Sequence, residues 1–449
     1  MILNGVVALY SWALRRHTAD TRRRPSVPTR LLAIGDIHLG RTSGRLPSNL
    51  DPARLGPAAA LRLAVQTAVT RNVDAVLLAG DVADDTRDFF HALGVLTEVL
   101  QPLTEREIPV LAVAGNHDHD VLPKLAELLP NVHLLGAGGV WEVYDLDGLP
   151  DPVRVLGWSF PAIHHSGNPI QDLNPLPDGS PVIGLLHADL DAAQSRYAPV
   201  SRRELTAAGT MRWLLGHWHQ PSLVADDTQP GYLGSLVGLD PTETGIHGPW
   251  LVQINGPQIS LEHLPLAPLR WESLEVAVDD LEDPAADLAS TVAAAVLAFA
   301  AGDQVDLGQA MAVGVRVRLV GRTVDFAALE EGCRRLNGDE LPLSQGDQVV
   351  FLDRVTNAAV PAHDLQDLAR QDDPPGLLAR ELLALQSGAA DDLVHEAGQD
   401  VQRVDRQGNF QLLAGTTLDD SALRRQILHE GYQVLDLLLA AREVPRGSA

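Results

Sequence analysis

Five times between residues 31 and 219, a short, continuous apolar run stops on a block of carboxylate, amide or imidazole side chains. That recurrence limits the possible folds more than any other feature of the chain. Leu31–Ile34 is followed by Asp36-Ile37-His38, Ala75–Ala79 by Gly80-Asp81-Val82-Ala83-Asp84, and Pro109–Ala114 by Gly115-Asn116-His117-Asp118. Val182–Leu186 leads into His187, and Trp213–Leu215 into Gly216-His217-Trp218-His219. Runs that are apolar throughout, rather than alternating, suit strands covered on both faces. Pro57–Arg71 and Asp88–Arg106 separate the first three runs and are long enough for crossover helices. The rhythm predicts α/β layering, with the polar blocks at the carboxyl ends of parallel strands, the edge where open α/β sheets bind ligands. Further strands are expected at Val140–Tyr144, Val153–Trp158, Trp250–Ile254 and Ile259–Leu264.

Composition narrows the class. The 449 residues carry 34 basic and 59 acidic side chains, a formal charge of −25. This excludes a protein that wraps nucleic acid by basic charge alone. Length suggests two or three domains, and 45% hydrophobic residues is ample for buried cores. Cys333 is the single cysteine, so no internal disulfide or multi-thiolate metal site is available, and a reducing, cytoplasmic setting is expected. The apolar stretch Ile2–Leu14 is followed, not preceded, by Arg15 and Arg16, the reverse of a secretory leader. No apolar run is expected to approach the roughly 20 residues of a membrane span.

The chain divides into an N-terminal extension (1–30), the block-bearing domain (31–270), a small α+β domain (271–355) and a helical region (356–449). In the small domain, strands are expected at Ser273–Val278, Val313–Val320 and Gln348–Leu352, with helices at Ala285–Ala300 and Phe326–Leu336. Residues 272–449 hold 31 acidic and 14 basic side chains, so the excess negative charge is concentrated away from the polar blocks. Leu423, Ile427, Leu428, Val434, Leu435, Leu438 and Leu439 have amphipathic spacing. That face suits either docking onto a partner or packing against the chain's own small domain.

Oxygen and imidazole donors without thiolates suit hard or borderline divalent ions. The blocks supply seven such donors, more than one ion needs. Two ions sharing a bridging carboxylate account for the number, and ions about 3.5–4 Å apart clamp a phosphate while activating a water for in-line attack. In Asp36-x-His38 and His217-x-His219 both side chains lie on one side of an extended segment. Singly, each block has an ordinary structural reading, because turns favour Asn, Asp and Gly, and a lone histidine is commonly a satisfied core or surface residue. Their order and strand-end placement together point to a metal centre. His164 and His165, in a loop after Trp158–Ile163, are candidates for substrate binding. Arg41, Arg45 and Arg54 are candidates for phosphate contact, with solvated surface as the alternative.

The blocks D-x-H, G-D-x-x-D, G-N-H-D, H and G-H-x-H, in this order, resemble the signature of the calcineurin-like metallophosphoesterases. The resemblance implies a layered sandwich of mixed sheets flanked by helices, followed here by the small α+β domain and the helical tail. Carried over position by position, it implies that Asp36, His38, Asp81 and His219 hold one divalent ion and that Asp81, Asn116, His187 and His217 hold the other. His117 would contact the phosphate and protonate the leaving oxygen, oriented from behind by Asp118. Asp84 stands where archaeal and eukaryotic relatives of the nuclease branch have a histidine. A carboxylate with an ordinary pKa is no proton donor at neutral pH, so Asp84 is read as supporting a ligand or His117.

Leu156-Gly157-Trp158-Ser159-Phe160, Tyr197-Ala198-Pro199 and Asp240-Pro241-Thr242-Glu243-Thr244-Gly245 look like the SbcD-type DNA repair exonucleases, and within them the YhaO-like subgroup. That resemblance covers about residues 30–270. It implies manganese-dependent cleavage of DNA phosphodiesters in double-strand break processing, with DNA, an SbcC-like coiled-coil ATPase and a second copy of the chain as partners. A small-molecule phosphodiesterase or phosphatase, and a non-catalytic scaffold, remain the alternatives.

Overall fold

A computed structural model of the chain describes residues 28–443, apart from 44–45, 150–151, 177–180, 193, 226, 303–306, 324, 339–341, 346–347 and 406–418. Residues 1–27 of the expected N-terminal extension, and Arg45, lie outside the described residues. The fold forms two compact units, one of residues 28–42, 52–239 and 246–268, the other of 43–51, 240–245 and 269–443.

The first unit is built on two sheets. One contains β1 (Thr29–Ile34), β2 (Ala75–Ala79), β3 (Val110–Val113) and β4 (Val132–Leu134), paired in parallel in that order. The second contains β5 (Glu142–Leu146), β6 (Val153–Trp158), β7 (Val182–His187), β8 (Arg212–Gly216) and β9 (Gly231–Tyr232), parallel from β6 onward. Two antiparallel strands, β10 (Trp250–Asn255) and β11 (Gln258–His263), extend the first sheet beyond β1. The apolar runs therefore do not form one sheet edge. The first three end in one sheet and the last two in the other, so both sheets contribute polar blocks.

Packing explains the continuous apolar runs. Leu31, Ala33, Leu77 and Val113 meet Val155, Ile183, Leu185 and Leu214 in a single buried cluster between the sheets. Their alternates Leu32, Val76, Leu78 and Ala112 are buried too. The parallel crossovers α1 (Pro57–Thr70) and α2 (Phe89–Thr104) turn Leu61, Val65, Leu96 and Leu103 inward. A short helix, α3 (Leu122–Leu128), follows the third polar block, and on the far face of the second sheet the Trp213 indole donates to the Leu205 carbonyl in α4 (Arg202–Ala207). A Cβ at Gly184 would lie 2.2 Å from the Trp213 ring, so this position has room only for glycine.

In the second unit, β12 (Leu269–Ala277), β13 (Ala312–Val320) and β16 (Gln348–Asn357) are parallel, and β15 (Pro342–Gln345) is antiparallel at the edge. A two-residue pair, β14 (Arg322–Thr323) with β17 (Val360–Pro361), stands beside this sheet. The helices α5 (Pro284–Ala301) and α6 (Phe326–Gly338) bury Leu288, Val292, Val296, Leu329 and Leu336 with the strand residues Val313, Val315 and Val317. Contrary to the expectation that no segment would approach a membrane span, α5 is 18 residues long and apolar enough to cross one. Alanines dominate its composition, and its larger apolar residues Leu288, Val292 and Val296 belong to the unit's core. We read it as a core helix.

The strand β16 runs to Asn357, two residues past the expected domain boundary. Beyond it, α7 (Pro374–Ser387), α8 (Asp391–Asp405) and α9 (Asp420–Glu443) form a helical cluster. There Leu423 and Leu435 of α9 pack with Leu382 and Leu385 of α7, so much of the amphipathic face is used within the unit.

Truncating Leu185, fully buried between the two sheets, is expected to destabilise the first unit by about 2–5 kcal/mol, because the cavity cannot collapse between paired strands. Urea unfolding of Leu185→Ala checks this, and a loss under about 1 kcal/mol would show the intersheet core to be less tightly packed than described.

Candidate metal centre

The polar blocks meet where the strand ends of the two sheets converge. Backbone pairing fixes their approach: the amides of Ile37 and His38 both donate to the Asp81 carbonyl, at 3.0 and 2.9 Å. The His217 amide donates to both carboxylate oxygens of Asp36, at 3.0 and 3.1 Å. Three residues here adopt positive φ without being glycine: His38 (54°), Asp81 (49°) and His217 (105°). Such backbone costs about 1–3 kcal/mol per residue and persists only where its surroundings enforce it. The blocks also need their glycines. A Cβ at Gly115 would sit 2.1 Å from Asp81 Oδ1, and one at Gly80, itself at φ 92°, would sit 2.4 Å from His187 Nδ1.

The hydrogen bonds fix which ring nitrogens carry protons. A carbonyl can only accept, so His187 Nδ1 donates to Ala79 O at 3.0 Å and Nε2 of the neutral ring keeps its lone pair. That lone pair faces Asn116 Oδ1 at 3.1 Å, His217 Nδ1 at 3.3 Å and Asp81 Oδ2 at 3.4 Å. Likewise His38 Nδ1 donates to Asp84 Oδ1 at 2.9 Å, leaving Nε2 at 3.0 Å from His219 Nε2 and 3.8 Å from Asp81 Oδ2. Both Nε2 lone pairs are thus turned toward the same group of oxygen and nitrogen atoms, where a cation can accept them. The donor set of imidazole, carboxylate and amide oxygen suits a hard or borderline divalent ion. The ligand atoms fall into overlapping groups, Asp36 with His38 and His219, Asp36 with Asp81 and His187, and His38 with Asp84 and His117.

Burial sets the electrostatics. Asp36, His38, Asp81 and His187 are at most 2% exposed. Desolvation pushes Asp36 up to about 8, opposed by His219 and reinforced by the Asp81 charge. Burial likewise holds the His38 and His187 rings below the ordinary imidazole range and brings His217, beside His187, down to about 4. For Asp81, burial acts upward but is outweighed by the His187, His38 and His117 rings, so its carboxyl stays below the usual range. The bond from His38 holds Asp84 low as well. At neutral pH the cluster therefore presents uncharged imidazoles around the Asp81 carboxylate.

His117 lies at the rim, its side chain 45% exposed. Its amide donates to Asp81 Oδ1 at 3.0 Å, and its ring Nδ1 donates to the Asp84 carbonyl at 2.9 Å. The expected support from Asp118 is not what the structure has. Asp118 is fully buried and accepts from the Val82 and Gly115 amides at 2.7 and 2.8 Å, tying two polar blocks together, and desolvation raises its carboxyl to about 8. Asp84 instead supports both rings, His38 through its carboxylate and His117 through its main chain.

The Arg41 amide donates to the His38 carbonyl, and its charge contributes to the low Asp84 pKa. Arg54 is exposed on a single helical turn, Pro52–Leu55. His164 is exposed beside Tyr197, whereas the His165 ring packs 5.0 Å from Trp158, which is 1% exposed. The sequence reading missed two residues. Asp189 Oδ1 lies 3.8 Å from His217 Nε2, and the Tyr197 ring lies 5.0 Å from the His217 ring. Asp189 had a readable signal, because His187-x-Asp189 repeats the spacing of Asp36-x-His38.

Because Asp36 binds a proton up to about pH 8 in the protein alone, protons and a divalent ion compete for it, while His217, neutral above about 4, offers no opposing trend. The rise in Tm caused by manganese is therefore expected to be larger at about pH 8 than at about pH 6. Thermal unfolding with and without the ion measures this, and a pH-independent or inverted effect would contradict the assignment of Asp36.

Residues 29–221 match the family model described as calcineurin-like phosphoesterase. The chain is 28% identical over 231 residues to the uncharacterized metallophosphoesterase YhaO of Bacillus subtilis, covering 50% of this chain and 56% of that protein. It is 27% identical over 268 residues to the DNA double-strand break repair protein Mre11 of Aeropyrum pernix, covering 56% and 64% respectively. The Mre11 of Archaeoglobus fulgidus is 26% identical over 230 residues, covering 46% and 50%. The chain thus spans between half and two thirds of these relatives' lengths. The matched segment contains β1 to β8 and every block of the cluster, so the similarity to calcineurin-like phosphoesterases covers the whole metal-centre region.

Proposed function

We propose that the first unit hydrolyses DNA phosphodiester bonds with the help of two divalent ions, manganese being the expected one, and that it works in double-strand break processing alongside a coiled-coil ATPase of the SbcC kind. The observation that carries the reading is the convergence of Asp36, His38, Asp81, Asn116, His187, His217 and His219 on one buried cluster, with His117 exposed at its rim. Asp81 Oδ2 lies 3.8 Å from His38 Nε2 and 3.4 Å from His187 Nε2, between the two histidine groups, which supports its reading as the shared ligand. When bound, the ions polarise the phosphate and lower the pKa of a water. The names of the Mre11 relatives support DNA as the substrate. Cys333, buried and free, suits the cytoplasmic setting proposed with it.

His117 supplies proton transfer. With Nδ1–H directed to the Asp84 carbonyl, Nε2 is the nitrogen left to carry a proton to the leaving oxygen.

Purified protein with manganese is expected to cut labelled linear or single-stranded DNA, and Asp81→Ala is expected to abolish cutting. Turnover of p-nitrophenyl phosphate esters without DNA products would remove the nuclease reading and leave a small-molecule phosphoesterase. His117→Ala is expected to keep its manganese and to lose about 10²–10⁴-fold in turnover. Loss of the ions in that variant would make His117 a ligand.

A further inference from the structure

A row of rings leads outward from the buried cluster. His187 lies 5.1 Å from His217, His217 lies 5.0 Å from Tyr197 and Tyr197 lies 5.4 Å from His164, measured between ring centroids. Burial falls along the row, from His187 at 0%, through the half-buried His217 and Tyr197, to the exposed His164. The inner two rings belong to the cluster already described, and the outer two have no part in it.

The backbone holds the outer pair in place from both sides. The Tyr197 carbonyl accepts from the Asp189 amide at 2.9 Å, which ties it to the loop after β7. The His165 amide donates to the Arg196 carbonyl at 2.8 Å and the Ala198 amide donates to the His165 carbonyl at 2.7 Å, which ties the same segment to the loop after β6. Ala198 accepts a φ of 49° to complete this arrangement. A tyrosine and a histidine in T-shaped contact thus present π surface next to the His217 ring of the cluster.

We infer that Tyr197, with His164, is the nucleobase contact of this site. The inference rests on the phosphoester reading of the cluster and deepens it by naming the group next to the phosphate. Stacking on aromatic rings tolerates every base and needs no positive charge. It therefore suits a chain of net charge −25 with one lysine.

The test compares two ligands that share a sugar phosphate and differ by the base, thymidine 5′-monophosphate and 2-deoxyribose 5-phosphate. Both are titrated by calorimetry into the full chain loaded with manganese. The wild type is expected to bind the nucleotide about tenfold more tightly, Tyr197→Phe to keep that ratio, and Tyr197→Leu to reduce it to within about twofold at unchanged manganese stoichiometry. His164→Ala is expected to lower the ratio about two- to threefold, and it serves if the Tyr197→Leu variant does not fold. A wild-type ratio near one, or a ratio unchanged in both Tyr197→Leu and His164→Ala, would overturn the inference. Loss of manganese in Tyr197→Leu with the ratio intact in His164→Ala would also overturn it, leaving Tyr197 as a prop for His217. Base-dependent binding without DNA cleavage would keep this contact and remove the nuclease; DNA cleavage with equal binding of both ligands would do the opposite.

Discussion

The site in the first unit depends on aiming two imidazole lone pairs at one cluster of ligand atoms. His187 and His38 are each fixed through Nδ1, one by the Ala79 carbonyl and the other by Asp84, so that each Nε2 presents its lone pair to the cluster. The sandwich makes it rigid. Strands of two sheets end at one place, their intersheet core is continuous, and the positive φ angles at His38, Asp81 and His217 are imposed by the backbone pairing around them. The strain and the converging lone pairs have one common explanation, a site preorganised for divalent ions.

Much of this was legible in the sequence. The apolar runs mark the strands to within one or two residues, because strands buried on both faces leave no alternation to misread. The glycines before Asp81 and Asn116 mark close backbone approaches, and the structure gives the reason, since neither Gly80 nor Gly115 has room for a Cβ. The division of the strands between two sheets was not legible from the runs, because a run records burial and not its neighbour. The resemblance implied that Asp118 backs His117, but its carboxylate turns to the Val82 and Gly115 amides, a choice of partner that a motif match does not specify. Tyr197 reaches His217 only through tertiary pairing of two loops, a relation that no local pattern encodes.

The second unit shows where composition misleads. Its α5 is long and apolar enough to cross a membrane, yet alanine supplies much of that apolarity and Leu288, Val292 and Val296 pack in the unit's own core. Its C-terminal helix has the spacing of a docking helix, and the structure uses Leu423 and Leu435 inside the unit. In both cases amphipathic or apolar spacing specified burial without specifying the partner.

The most direct measurement of the central claim is the number and position of bound ions, read by elemental analysis of the manganese-loaded protein and by anomalous diffraction from its crystals. Two ions per chain about 3.5–4 Å apart, with Asp81 touching both, is the result the account requires. A single ion, or ions bound away from His187 and His38, would contradict it.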